Sequence, residues 1–324
     1  MKLILYTFLF FTYLVLGTPL VNNVLAHSFP KKPIRIVTAE SGGSSDFSAR
    51  LIAQWLTTEL AQQVIVDNRG ASGGIIAAQI VARSQPDGYN LLFYGSNIWL
   101  MPFLRDNLPF DPIKDFLPIS LTNMSPNVLV IHPAISVYTV KELIALAKSK
   151  PSELNYASGG TGSSNHLAAE MFKSMAGVNI VRVAFKGAGP AISDLLSGQL
   201  HLAFFTSPSV SHHIKSGKLR ALAVTSARPS SLFPSLPTIM SSGLPQYEMT
   251  SMYGLLAPAG LSTTLLKILN QEVVRGIKSS KIKEFLFSAG SEAVGSNPEE
   301  FQTAIKSEMQ RLGKIIKNNG IRGE

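Results

Sequence analysis

Leu154-Asn155-Tyr156-Ala157-Ser158-Gly159-Gly160-Thr161-Gly162-Ser163-Ser164-Asn165-His166 carries a short apolar strand into a helix through a run of glycines and hydroxyls. Nearer the amino end, Ile34-Arg35-Ile36-Val37 leads into Ser41-Gly42-Gly43-Ser44-Ser45-Asp46 on the same plan. Strand, Gly/Ser loop and helix form the unit of an α/β sheet covered by helices. Two copies predict two lobes. Glycine lets backbone N–H groups approach a ligand closely, Ser and Thr add hydroxyl donors, and the helix start contributes unpaired N–H groups. Each helix terminus would favour an anion by about 0.3 to 2 kcal/mol before direct hydrogen bonds are counted. Two such loops facing each other would suit a dicarboxylate. The competing reading is ordinary capping, with Asp46 and Asn165 as N-caps. Neither loop is a nucleotide motif: Gly160-Thr161-Gly162 lacks the third glycine of a dinucleotide fingerprint, and no Gly-Lys-Ser/Thr follows either loop.

Working outward, short β-branched runs alternate with stretches of helical period. Strands are expected at 34–37, 64–66, 91–94, 128–131, 155–157, 180–183, 202–205, 221–224 and 292–294. Helices are expected at 46–60, with Phe47, Leu51, Trp55 and Leu60 on one face, and at 74–82, 140–148, 166–175, 263–277 and 279–287. A last helix starts with Asn297 as N-cap, Pro298 at N1 and Glu299 and Glu300 in the first turn, and ends near Gly320. Two proline-dense stretches, Pro102 to Pro126 and Pro229 to Pro245, are composed like domain connections.

Lys2 followed by the apolar run Leu3 to Leu16 reads as an export signal, with Val24-Leu25-Ala26 as its cleavage site before His27; an uncleaved anchor is the alternative. With no cysteine in 324 residues, thiolate chemistry, disulfides and Cys-type metal sites are excluded. The net charge of +9 is scattered, its longest run being Lys31-Lys32, which argues against nucleic acid as a partner. Gly70-Ala71-Ser72-Gly73-Gly74 matches a nucleophile elbow in form, but Asp67-Asn68-Arg69 already makes a polar loop after the strand, where an elbow serine needs a sharp exit. The six histidines, His27, His132, His166, His201, His212 and His213, lack the three- or four-residue helical spacing of a metal pair. No metal, cofactor or catalytic group is expected. A serine hydrolase using Ser72 and an exported interaction protein without a small ligand remain as alternatives.

A set of motifs spread over the chain resembles one family. The markers are Pro33-Ile34-Arg35-Ile36-Val37, Gly42-Gly43 with Asp46, Asp67-Asn68-Arg69, Pro86-Asp87-Gly88-Tyr89, Pro126-Asn127-Val128-Leu129-Val130, Leu154 to Ser158, Lys186-Gly187, Gly217 to Thr225 and Tyr253 to Pro258. With them the chain resembles the substrate-binding proteins of tripartite tricarboxylate transporters, the Bug-type extracytoplasmic receptors. The resemblance implies a two-lobed periplasmic-binding-protein fold, type II-like, each lobe a mostly parallel sheet flanked by helices. It implies a signal peptide over 1–26, one lobe of 27–127 plus 254–324, and a second of 128–253. It further implies a monomeric periplasmic receptor for a small organic acid, amino acid or related metabolite, serving transporter subunits or a sensor protein.

The expected ligand contacts are Glu40, Ser41, Gly42, Gly43, Ser44, Asp46 and Ser96 in one lobe. In the other they are Gly159, Gly160, Thr161, Ser163, Ser164, Asn165, Lys186, Phe205 and Thr206. Several positions depart from the family's usual residues: Ala39-Glu40-Ser41 replaces an aromatic-proline start, Ala184-Phe185 a Pro-Tyr pair, Phe205-Thr206 an Asp-Asn pair, and His201 an Asp. Glu40, facing the cleft, would repel a plain dicarboxylate and accept an ammonium or amide donor; facing solvent it would do neither. Lys186 is either a ligand counter-charge or a surface lysine.

Overall fold

A computed structural model gives the architecture and describes residues 29–38, 41, 44–69, 74–159, 161–185 and 188–322. The proposed signal segment 1–26, Glu40, Gly42, Gly43, Ser72, Gly160 and Lys186 lie outside the described residues. The Ile/Val runs become a parallel trio in which β1 (Ile34–Thr38) is flanked by β2 (Val64–Asn68) and β3 (Asn90–Gly95). The crossover helices are α1 (Ser44–Glu59) and α2 (Ile75–Ala82), and α3 (Asn97–Leu104) follows β3. A second trio has β5 (Asn155–Ser158) between β6 (Val181–Ala184) and β7 (Leu202–Thr206). Around it lie α4 (Val140–Ser149), α5 (Ser164–Ala176), α6 (Ala188–Leu196) and α7 (Ser207–Lys215).

The trios are joined by β4 (Phe116–Ile131) and β9 (Thr250–Pro258), giving the order β2-β1-β3-β9-β4-β7-β5-β6. Both β8 (Arg220–Val224) and β10 (Glu292–Ala293) also pair with β4. The fold is two-lobed α/β, and each lobe carries a mixed sheet because β4 and β9 run antiparallel to their neighbours. Residues 116–126 of β4 pair with β9, whereas 127–131 pair with β7 and β8. Thr225 pins this change of partner. Its N–H donates to the Asn127 carbonyl (2.9 Å), its hydroxyl accepts from the Asn127 N–H (2.8 Å), and its carbonyl accepts from the Met249 N–H (2.9 Å).

The first proline-dense stretch runs from the end of α3 through a loop at 105–115 into β4, so the connection between the trios is itself a strand. Pro118 sits beside an irregularity of the ladder and Pro126 forms its last pair with Thr250, places where an edge or break tolerates a missing N–H. The second stretch, 226–249, carries no regular element longer than a bridge. The α1 face is also rotated from expectation: Ser48, Ala49, Ile52, Ala53 and Leu56 are buried, while Phe47 is 37% exposed. Small residues bring the helix close to the sheet, and Trp55 turns sideways to α8 (Thr263–Lys278), where its indole N–H donates to the Glu272 carbonyl (2.9 Å).

Each lobe has its own apolar core. Ile34, Ile36, Leu91, Phe93 and Leu255 pack against Ile52, Leu269 and Val273 in one, and Val128, Val130, Ala203 and Phe205 against Ala191 and Val210 in the other. A third and larger core runs through both, taking Leu92, Trp99, Leu129, Tyr156, Phe172, Phe204, Tyr247 and Phe301 into one contiguous cluster. Full burial of each large side chain stabilises by about 1.5 to 3 kcal/mol, so this shared core ties the lobes to each other. Phe301 comes from α10 (Pro298–Asn318), which packs on α3, β4 and α5. Between α8 and α10 lies α9 (Ser280–Ser288), whose Phe285 and Phe287 are exposed.

Candidate functional site

The second Gly/Ser loop is held from within by its own side chains. Ser163 is the N-cap of α5, two residues earlier than expected, and makes no capping bond with its side chain. Asn165, inside the first turn, folds back instead. Its Oδ1 accepts from the Gly159 N–H (3.2 Å), the His166 N–H (2.9 Å) and the Ser163 hydroxyl (2.5 Å). Gly162 takes φ +80°, which favours glycine, and a Cβ there would come within 2.5 Å of Leu104 Cδ1 at the end of α3. This loop therefore abuts an element of the other lobe. The Gly162 N–H donates to His166 Nδ1 (3.1 Å), which requires that nitrogen to be unprotonated. Burial, reinforced by the charge of Arg182, pushes His166 down to about 4 and keeps it neutral.

Behind the loop stands a second tier on the α5 side of β5 and β6. The Tyr156 hydroxyl donates to Glu170 Oε1 (2.6 Å), which also takes Lys173 Nζ at 2.7 Å. Burial, then Glu170, raises the Tyr156 phenol well above its ordinary range. Arg182, in register with Tyr156, spreads its guanidinium over the loop. Its Nε donates to Ser158 Oγ (2.7 Å), Nη2 to the Gly159 carbonyl (3.1 Å), and Nη1 and Nη2 to Thr161 Oγ1 (3.3 and 3.4 Å).

The first loop leaves the carboxyl end of β1, as the second leaves that of β5, the edge at which open α/β sheets bind ligands. Ser41 and Ser44 are exposed. Helix α1 begins at Ser44, so Asp46 lies in its first turn and is not the N-cap. Asp46 is 4% exposed; its carboxylate accepts from Asn68 Nδ2 (2.8 Å) and pairs with Arg50 Nε (3.0 Å), a structural brace between α1 and β2. The Tyr253 phenol on β9 bonds Ser44 and Ser251, and burial raises it more than those partners lower it.

Two further expected contacts are, like Asp46, buried within the fold. Phe205 is 1% exposed in the core of its lobe, because β7 alternates and its position faces α6 and α7. Ser96 is 7% exposed and its hydroxyl is engaged on both sides: it donates to Glu308 Oε1 (3.0 Å) and accepts from the Met252 N–H (3.0 Å). Thr206 is half-buried as the N-cap of α7, its Oγ1 3.1 Å from Ser209 Oγ. Gly159, Thr161, Ser163, Ser164 and Asn165 do come together around the start of α5.

Sequence reasoning missed Arg182 and passed over Tyr253 and Asn127 as family markers. Arg182 carries no motif, but the alternation of β6 puts it on the face of Tyr156, a signal available once the strand is assigned. Asn127 is wholly buried at the change of partner, opposite Thr206, and neither end of its amide is hydrogen-bonded; Asn123 Nδ2 and Thr250 Oγ1 are likewise buried without partners. Such groups cost about 1 to 3 kcal/mol each when unsatisfied.

Residues 48–321 match the model of the tripartite tricarboxylate transporter family receptor. Protein BugT of Bordetella pertussis is 34% identical over 300 residues, covering 92% of each chain. Among solved structures, Rpa4515 of R. palustris with adipate superposes with a TM-score of 0.78 at 34% identity, covering 91% of this chain and 99% of that one. MatC from Rhodopseudomonas palustris with bound malate gives 0.74 at 26% identity, covering 89% and 100%. A fold, a pair of strand-end loops and a family model spanning most of the chain agree: the protein belongs to the tripartite tricarboxylate transporter family of receptors.

Proposed function

We propose that this chain is a periplasmic receptor that captures a small carboxylate between its lobes, one carboxylate at the 158–165 loop, and hands it to transporter subunits or a sensor. The observation that carries the reading is the second loop. Its backbone N–H groups and hydroxyls gather at the start of a 13-residue helix and are braced by a guanidinium. Adipate in one relative and malate in another, both dicarboxylates, support the ligand class. The lobes are taken as 27–127 plus 254–324 and 128–253. The exchange of partners along β4 after Pro126 supports the first limit, and the pairing of β9 with β3 and β4 the last.

The test is thermal denaturation of the leader-free protein against a panel of dicarboxylates, monocarboxylates and amino acids, adipate and malate included. A ligand at a hundredfold excess over its Kd adds about 2.7 kcal/mol of stability. In domains of this size that raises Tm by several degrees. Uniformly flat shifts across the panel would overturn the receptor reading.

A further inference from the structure

We propose that Arg182 is the charge-bearing positioning residue of the second loop. It sets the polarity of the Thr161 hydroxyl and supplies the positive charge that selects an ionised carboxylate over its neutral analogue. The inference rests on the receptor reading above and gives it a specificity determinant.

Four observations carry it. First, among the described residues the acceptors of Arg182 lie in Ser158, Gly159 and Thr161, and none is a carboxylate. Six of the described arginines pair with acids: Arg35 and Arg69 with Asp67, Arg50 with Asp46, Arg275 with Glu59 and Glu272, Arg311 with Glu248, and Arg322 with Asp106; Arg220, like Arg182, donates to carbonyls, but of Ile135 and Val137, away from either Gly/Ser loop. Second, Glu170, the acid of the second tier, already holds Lys173 and the Tyr156 hydroxyl. A half-buried guanidinium without a counter-ion is costly, and an arriving anion relieves that cost.

Third, the other titratable group bonded to the loop cannot supply the charge, because His166 must stay neutral to accept the Gly162 N–H. Fourth, hydrogen-bond direction is forced. Arg182 only donates, so Thr161 Oγ1 accepts from it and turns its own proton away from the guanidinium. Ser158 Oγ accepts from Arg182 and spends its proton on the Gly159 carbonyl (3.1 Å). Thr161 is thereby left as a donor at the half-buried tip of the loop, beside backbone N–H groups of the helix start. Removing the guanidinium frees this hydroxyl to rotate and unties the Gly159 carbonyl.

The experiment compares wild type, R182K, R182M and T161V by calorimetric titration with adipate and malate, and with the diamides of both as uncharged probes, at two ionic strengths. R182M is expected to bind the dicarboxylate about 10- to 100-fold more weakly, the span set by loss of a charge-assisted contact. Its dicarboxylate-to-diamide ratio is expected to narrow by a similar factor, and its affinity to depend less on salt. R182K is expected to keep the salt dependence but lose part of the affinity, since an ammonium is not a planar fork. T161V is expected to weaken binding without changing the salt dependence. Equal weakening of diacid and diamide in R182M would reduce Arg182 to loop packing and overturn the proposal, as would unchanged binding. If R182M does not fold, R182Q, which is uncharged but polar, decides by the same ratio. Wild type that binds none of the four probes overturns the receptor reading for this ligand class, and the proposal with it; wild type that binds while the variants match it overturns the proposal alone.

Discussion

His166 and Glu308 are both buried, and their titrations act on stability in opposite directions. His166 is held at about 4 against an ordinary 6.5. Its contribution is complete above pH ~6.5 and is lost as pH falls through about 4. Glu308 is raised from 4.5 to about 7 by burial, aided by the like charge of Glu248, and this outweighs the Trp99 and Ser96 donors and the positive charge of Arg311, which favour its charged form. Its contribution is complete below pH ~4.5 and is lost as pH rises through about 7. The variant E308Q keeps an acceptor for the Trp99 indole, 2.6 Å away in the wild type, and cannot ionise. Its Tm relative to wild type is therefore expected to rise from pH 4.5 to about 7 and then level off; a constant difference would show that Glu308 does not titrate in this window. For His166, the imidazole resonance is expected to titrate near pH 4. Sequence gave no access to either value. The partners of Glu308 lie 212 and 209 positions away, and a carboxylate on a helix reads as solvated until the fold brings Ser96 and Trp99 to it.

At the scale of elements, local chemistry decides where α10 begins and packing decides where it sits. Asn297 accepts from the Glu300 N–H (2.7 Å) while the Glu300 side chain returns to the Asn297 N–H (3.0 Å), a complete capping box readable from Asn297-Pro298-Glu299-Glu300. N297A is expected to lower the unfolding free energy by about 1 kcal/mol, measured in urea. The seat of the helix was not legible. Gly254 on β9 leaves room for the Phe301 ring, and any Cβ there would overlap both the ring and the Ser120 carbonyl of β4. G254V is expected to cost about 1 to 3 kcal/mol or more through overpacking, whereas the same change at exposed Gly189 should cost less. For β4 the prolines marked the place of the crossing but not its form: Pro118 and Pro126 mark a bulge and an exchange of partners within one strand, and no periodic rule distinguishes those from a linker. The loop at 158–165 was legible because glycines and hydroxyls before a helix have few other uses. Its brace, Arg182, was not, because a lone arginine in a strand is chemically mute until its face is known.

For the molecule as a whole, the core shared between the lobes predicts one cooperative transition. Both tryptophans, Trp55 and Trp99, lie in α1 and α3, so their fluorescence follows the amino-terminal half, whereas far-ultraviolet circular dichroism follows every helix. The two signals are expected to coincide in urea; separated midpoints would show lobes that unfold independently. The order of strands and helices was readable along most of the chain, but the shared core was not, since α10 packing on α5 and Leu104 lying against Gly162 join segments that carry no mark of each other. The passage of β4 from one set of partners to the other has a mechanical side as well. Turning one lobe against the other must twist a hydrogen-bonded strand pair at Pro126 and Thr250, tied in place by Thr225, where a slack tether would offer no resistance. Such a joint is expected to act as a leaf spring, resisting rotation of one lobe against the other and favouring the angle that the strand pair sets.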